Sequence, residues 1–143
     1  MADTRTPTKC VEQVIECDNS RDKAGYRALL HDDYCAYVHG HVTTSDADSE
    51  ADALEAWWRA VPDVHLESLA IWEQGDRVTL RYTLRGTNAG EFFGQPATGK
   101  SFQVENCTLF QVVEGRVKQV WRYSDTLGLF TQLGLSLPAE GGA

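Results

Sequence analysis

No run of apolar residues in this 143-residue sequence approaches the ~20 that a membrane-spanning helix needs. The opening residues, Met-Ala-Asp-Thr-Arg-Thr-Pro-Thr-Lys, hold no apolar core, so no secretory signal is expected and the expected location is the cytoplasm. Basic residues are scarce. Thirteen Lys and Arg stand against 21 Asp and Glu, for a net charge of −8. Without a basic stripe, neither a phosphate backbone nor an anionic membrane surface is an expected partner. The four cysteines (Cys10, Cys17, Cys35, Cys107) form no C-x-x-C pair and read as free thiols, Cys10 and Cys17 lying on one helix face. A phosphate loop is also missing, because the glycine-rich stretch from Gly86 to Gly99 lacks G-x-x-x-x-G-K-[ST] and leads into a strand. There is no internal repeat.

What remains is an ordinary globular composition, 42% hydrophobic and 24% charged, at the length of one domain. A single domain over 1–143 is expected, frayed at 1–7 and 136–143. Val11, Val14, Ile15 and Asp18 share one face of a helix running from Thr8 to about Asp18. Asp22 is placed to cap a second helix through Tyr26, Leu29 and Leu30. Tyr34 to His39 reads as a short strand, and the polar stretch from Thr43 to Asp52 as a loop. A third helix carries Ala51, Leu54, Trp57, Trp58 and Val61 and stops at Pro62-Asp63.

The period then changes to two. Val64 to Glu73 and Arg77 to Arg85 form a hairpin about Gly75-Asp76, and Phe102 to Val113 and Arg116 to Ser124 a second about Glu114-Gly115. Asp125 to Leu133 closes the chain as a short helix with Gly134 at its end. Helices followed by antiparallel strands predict an α+β fold: N-terminal helices packed on a curved antiparallel sheet around an internal pocket.

A two-residue turn at Glu114-Gly115 sets the register of the second hairpin. Regular counting pairs Thr108 with Trp121, Asn106 with Tyr123 and Val104 with Asp125. One face then carries Val104, Asn106, Thr108, Phe110, Trp121, Tyr123 and Asp125. Aromatic walls with an amide, a hydroxyl and a carboxylate are the make-up of a ligand pocket. The same counting sends Arg122 to the other face. A carboxylate enclosed by Trp121 and Tyr123 would have its pKa raised, as a proton-transferring group needs. Asp125 is equally suited to be the N-cap of the last helix, and capping would lower its pKa. Tyr37 and His39 are candidates for the pocket mouth. His39 and His41 share a strand face, but no third ligand stands at matching spacing, so no metal site is expected.

The half of the chain from Pro62-Asp63 to Gly134 resembles the SnoaL-like polyketide cyclases of the nuclear-transport-factor-two-like superfamily. The resemblance runs through Gly75-Asp76-Arg77-Val78, Gly86-Thr87, Gly90-Glu91-Phe92-Phe93-Gly94, Pro96 and Thr98-Gly99-Lys100. It continues in Glu114-Gly115-Arg116-Val117, Trp121, Asp125-Thr126-Leu127-Gly128 and Gln132-Leu133-Gly134. It implies a cone-shaped α+β barrel, a homodimer, and intramolecular aldol ring closure without metal or cofactor. Asp125 would be general acid/base, Trp121 would shape the substrate, and Tyr123 or Asn106 would be the enolate donor, with Thr108, Phe110, Tyr37 and His39 at the ligand. The chain departs from the family at Asn88, Thr108 and Tyr37, where relatives often carry His or another ionisable group. Other expectations are a non-catalytic binding protein for a hydrophobic small molecule, an isomerase, or an epoxide hydrolase. The last needs an Asp-Arg-Asp set, which an outward Arg122 would not supply.

Overall fold

The computed structural model describes residues 5–137. Expected fraying at 1–4 and 138–143 lies outside the described residues. Pro7, by contrast, begins a helix behind a Thr6 cap, and Ser136 exchanges hydrogen bonds with Gln95.

Three helices and a sheet make the body. Helix α1 (Pro7–Ser20) is followed by α2 (Lys23–Ala28), which Asp22 caps through Gly25 N–H. Strand β1 (Leu30–Val38) starts four residues before the expected Tyr34, because Leu30 leaves the helix to pair with β6. Strand β2 (His41–Thr44) runs into the start of the stretch read as a loop from Thr43, its residues being too exposed to show a buried-strand pattern. Helix α3 (Ala47–Ala60) starts behind Asp46, whose carboxylate accepts from Ser49 N–H. Strands β3 (His65–Gln74), β4 (Arg77–Thr87), β5 (Ser101–Val113) and β6 (Arg116–Tyr123) then form two long hairpins, and α4 (Thr126–Leu133) ends the fold.

The sheet order is β2-β1-β6-β5-β4-β3. All neighbours are antiparallel except β1 and β6, so the sheet is mixed and not wholly antiparallel as expected. The parallel pair joins the first strand in the chain, β1, to the last, β6, within the sheet. It curves without closing into an α+β cone.

Two apolar clusters fill the cone. One joins α1, α2 and the sheet through Val11, Tyr26, Tyr34, Leu80 and Val120. The other lies under α4 and the loop after β4 through Val61, Phe92, Phe102, Phe130 and Leu133. That loop is a wall of the interior. Asn88 is fully buried; its amide nitrogen donates to Gly90 O, and its amide oxygen accepts from Thr98 N–H and Oγ1. Phe92 packs edge-on against Trp57 at 4.9 Å between centroids. Asn88 is thus a loop clamp.

Candidate active site

The second hairpin departs from regular counting at one residue. Val113 pairs with Arg116 and Val112 with Val117, but Gln111 pairs with Gln119, so Lys118 is an extra residue in β6. Such a bulge lets Val117 and Val120, three apart, both face inward; each is 1% exposed. Beyond it every β6 side chain changes face. Leu109 pairs with Trp121 and Thr108 with Arg122.

The consequences are direct. Asn106, Thr108 and Phe110 line the cavity as expected of their strand. Trp121 and Tyr123 do not; they lie on the outer face. Tyr37 stacks on Trp121 there, with planes 8° apart and Arg77 over the indole, and His39 stacks on Tyr123. Regular counting had put Trp121 and Tyr123 in the pocket and Arg122 outside, and the bulge reverses both. Tyr37 and His39 follow Trp121 and Tyr123 because β1 pairs with β6.

Asp125 is exposed and caps α4, its carboxylate accepting from Gly128 N–H at 2.9 Å. Gly128 is glycine for a steric reason: a Cβ there would lie 2.2 Å from an Asp125 carboxylate oxygen. With Trp121 and Tyr123 turned away, the apolar enclosure expected around it is missing. Its link to the interior is indirect: Asp125 N–H donates to Asn106 Oδ1 at 3.0 Å. An outer depression of about 360 Å³ adjoins it, bounded by His39, Arg81, Glu105 and Tyr123.

The interior cavity, about 540 Å³, lies between the helices and the concave sheet. Its apolar lining includes Ile15, Leu54, Trp57, Leu80, Phe92 and Phe130. Into it point groups that hairpin counting did not find. Arg122 donates to Glu50 at 2.6 Å, and Glu50 also accepts from Thr44 Oγ1 at 2.6 Å and Tyr26 OH at 3.1 Å. Glu50 is 4% exposed. Burial alone would raise its pKa, but the Arg122 guanidinium and these hydrogen bonds hold it below the usual carboxylate range. Burial likewise works against charge on Arg122, and Glu50 outweighs it, so the guanidinium stays charged. Tyr82 and Thr108 join hydroxyls at 3.1 Å.

Asp18, on the apolar stripe of α1, faces the same space. Its Oδ1 accepts from Trp58 Nε1–H at 3.0 Å. Burial pushes its carboxyl pKa up; the Trp58 bond and the charges of Arg21 and Arg122 oppose the shift without cancelling it. Tyr34, 1% exposed, has a hydroxyl beside Arg122 and Glu50 that makes no well-formed hydrogen bond among the described residues.

The sequence carried a signal for these groups. Asp18 continues the Val11-Val14-Ile15 stripe, and Glu50 falls between the buried positions Ala47 and Ala51. An acid on the apolar face of a helix is either paired or functional.

A family model described as SnoaL-like polyketide cyclase matches residues 8–133. The aklanonic acid methyl ester cyclase DauD of Streptomyces sp. (strain C5) is 34% identical over 80 residues, covering 56% of this chain and 50% of DauD. Nogalonic acid methyl ester cyclase of Streptomyces nogalater is 30% identical over 118 residues, covering 79% of this chain and 86% of that one. The chain thus spans about half the length of DauD but most of the second cyclase. Among solved structures, TsrD of Streptomyces laurentii superposes with a TM-score of 0.81 at 26% identity, covering 95% of this chain and 100% of that one. With a family match over most of its length, this chain belongs to the SnoaL-like polyketide cyclases.

Proposed function

We propose that the protein is a cofactor-free enzyme that closes a ring in a hydrophobic polyketide ester by intramolecular aldol chemistry. The observation that carries this reading is the interior cavity, whose apolar walls present a few buried, convergent polar groups. Aldol closure needs a base for an acidic C–H, a donor for the enolate oxygen, and exclusion of water, and all three can be supplied by side chains. The similarity to cyclases acting on methyl esters of aklanonic and nogalonic acid supports the substrate class.

The test is turnover of an aromatic polyketide methyl ester by purified protein with a chelator present and no cofactor added. A ring-closed isomer of unchanged mass is expected. Recovery of bound, unreacted ester would overturn the reading and leave a binding protein.

One observation favours a second reading. Arg122 stands on the cavity wall with Glu50 bonded to it and Asp18 within its electrostatic reach, which is the kind of carboxylate–guanidinium set that an epoxide hydrolase uses. Conversion of an apolar epoxide to a diol, with no ring closure of the ester, would establish this reading in place of the first.

We also propose that the protein is a homodimer joined through the outer sheet face. Supporting this are Trp72, 57% exposed opposite Thr79, and the mixed row of Arg81, Thr83 and Arg85 beside it. Light scattering at micromolar concentration is expected to give twice the chain mass; a monomeric mass overturns the dimer.

A further inference from the structure

We propose that Asp18 is the proton acceptor of the cavity, and that the Arg122 guanidinium and the Tyr34 hydroxyl receive the oxygen on which negative charge then develops. The assignment rests on the ring-closing reading above and supplies its residues.

Four carboxylates stand at or near the cavity, and one of them, Glu91, is exposed on the loop after β4. Glu50 is held by three donors, Tyr26, Thr44 and Arg122, and is fixed as an ionised partner of the guanidinium. Asp125 is exposed and spends an oxygen on the cap of α4. Asp18 alone is partly buried, faces the cavity, and has one oxygen oriented by a single donor, Trp58 Nε1–H. Its second oxygen has no hydrogen-bond partner among the described residues. The charged and titratable groups around it are Arg21 at the end of α1, Glu50 on α3 and Arg122 on β6. Their combined effect with burial leaves a carboxylate more basic than an exposed one, which suits proton abstraction.

The oxygen site consists of unmet donors. Arg122 has five N–H donors and keeps 27% of its side-chain surface open on the cavity wall, with Glu50 taking one terminal nitrogen. Tyr34 lines the cavity with its hydroxyl beside Arg122 and Glu50 but without a well-formed hydrogen bond among the described residues, and burial pushes its pKa up, so it remains a donor. A buried hydroxyl left without a partner is unfavourable, and a ligand oxygen would relieve it.

The step balances within one substrate. Asp18 takes the C–H proton, the C–H electron pair becomes the enolate double bond, and the carbonyl pair moves to the oxygen held by Arg122 and Tyr34. The enolate carbon then attacks a second carbonyl of the same molecule, and the new alkoxide takes the proton back from Asp18.

Asp18→Asn keeps the shape and the acceptor for Trp58. It is expected to lower kcat at least a hundredfold with an unchanged circular dichroism spectrum, while Asp125→Asn stays within tenfold of the parent. Trp58→Phe removes a bond that favours the ionised form, so the acidic limb of the kcat profile should move to higher pH. Tyr34→Phe should lose at least tenfold in kcat, and at least tenfold in binding of 1-naphthol followed by tryptophan fluorescence, without loss of stability. Asp18→Asn within tenfold of the parent, or an unmoved acidic limb in Trp58→Phe, overturns the base assignment. Unchanged 1-naphthol binding in Tyr34→Phe overturns the oxygen site. Binding without turnover in the parent would overturn the ring-closing reading and the base assignment together while leaving the oxygen site standing. Normal turnover in Asp18→Asn would overturn the base assignment alone and leave the ring-closing reading standing.

Discussion

Arg122→Met should destabilise the protein by about 3–5 kcal/mol, the usual consequence of leaving one member of a buried ion pair without its partner. Glu50 would remain 4% exposed, with Tyr26 and Thr44 still donating but no positive charge beside it. Arg122→Met/Glu50→Gln should recover most of the loss, because the uncompensated charge is gone. Thermal or urea unfolding measures both. A loss under about 1 kcal/mol for the single variant would show that the pair does not anchor the structure.

The pH dependence has a definite sign. In the parent, Glu50 has a depressed pKa. Its contribution is present above the ordinary value of 4.5 and is lost as pH falls through the lower folded value. Asp18 has a raised pKa. Its contribution is full below the ordinary value of 3.8 and is lost as pH rises through the higher folded value. In Arg122→Met the lone Glu50 takes up a proton more readily than in the parent. The stability gap between the two proteins should therefore narrow as the solution is acidified. A gap that widens would contradict the assignment of Glu50 as the ionised partner.

Gly90→Ala should cost about 1–3 kcal/mol, the range for forcing extra atoms into a packed site. The reason is contact and not backbone conformation. Ala89 and Gly90 both donate N–H bonds to Ala60 O at 3.0 Å, which straps the loop to the end of α3. A Cβ at Gly90 would stand 2.4 Å from Arg59 O and 3.2 Å from Ala60 Cα, both backbone atoms that cannot swing aside. The loop would lift, and Phe92 with it, so binding of an apolar ligand should weaken along with stability. Gly94→Ala is the control. It has a φ of +72° but nothing within 4 Å of the added carbon, so only local strain is expected there and the wall should stay in place. Equal losses of ligand binding at both positions would mean that the strap does not set the wall.

Much of this fold is legible in the sequence because its signals are local. Asp22, Pro62 and Gly134 mark helix ends by their own conformational preferences, and Gly75-Asp76 and Glu114-Gly115 mark the hairpin turns. The positive φ of 53° at Glu114 and 73° at Gly115 is the twist that such a turn requires. Strand β2 was not legible, since His41-Val42-Thr43-Thr44 gains its structure from pairing with β1 and not from burial. The site was legible on β5 and misplaced on β6. Asn106, Thr108 and Phe110 keep regular alternation, whereas the face of every residue after Lys118 depends on a bulge. The valines carried the clue: Val117 and Val120 cannot both be inside a regular strand. Glu50 on α3 and Arg122 on β6 meet only in the folded chain, 72 residues apart, which no local pattern reports.

Lys118 has a consequence for how relatives are compared. The inside and outside of β6 are distinguished by a count of residues, not by their kinds. Deleting this one lysine would exchange the two faces downstream, bringing an indole and a phenol into the cone and expelling the guanidinium. A gap placed one position away in an alignment would therefore match the interior of one protein with the skin of another. Two members of the family that differ by a single insertion here could share nearly every residue of this strand and present opposite chemistry to their ligands.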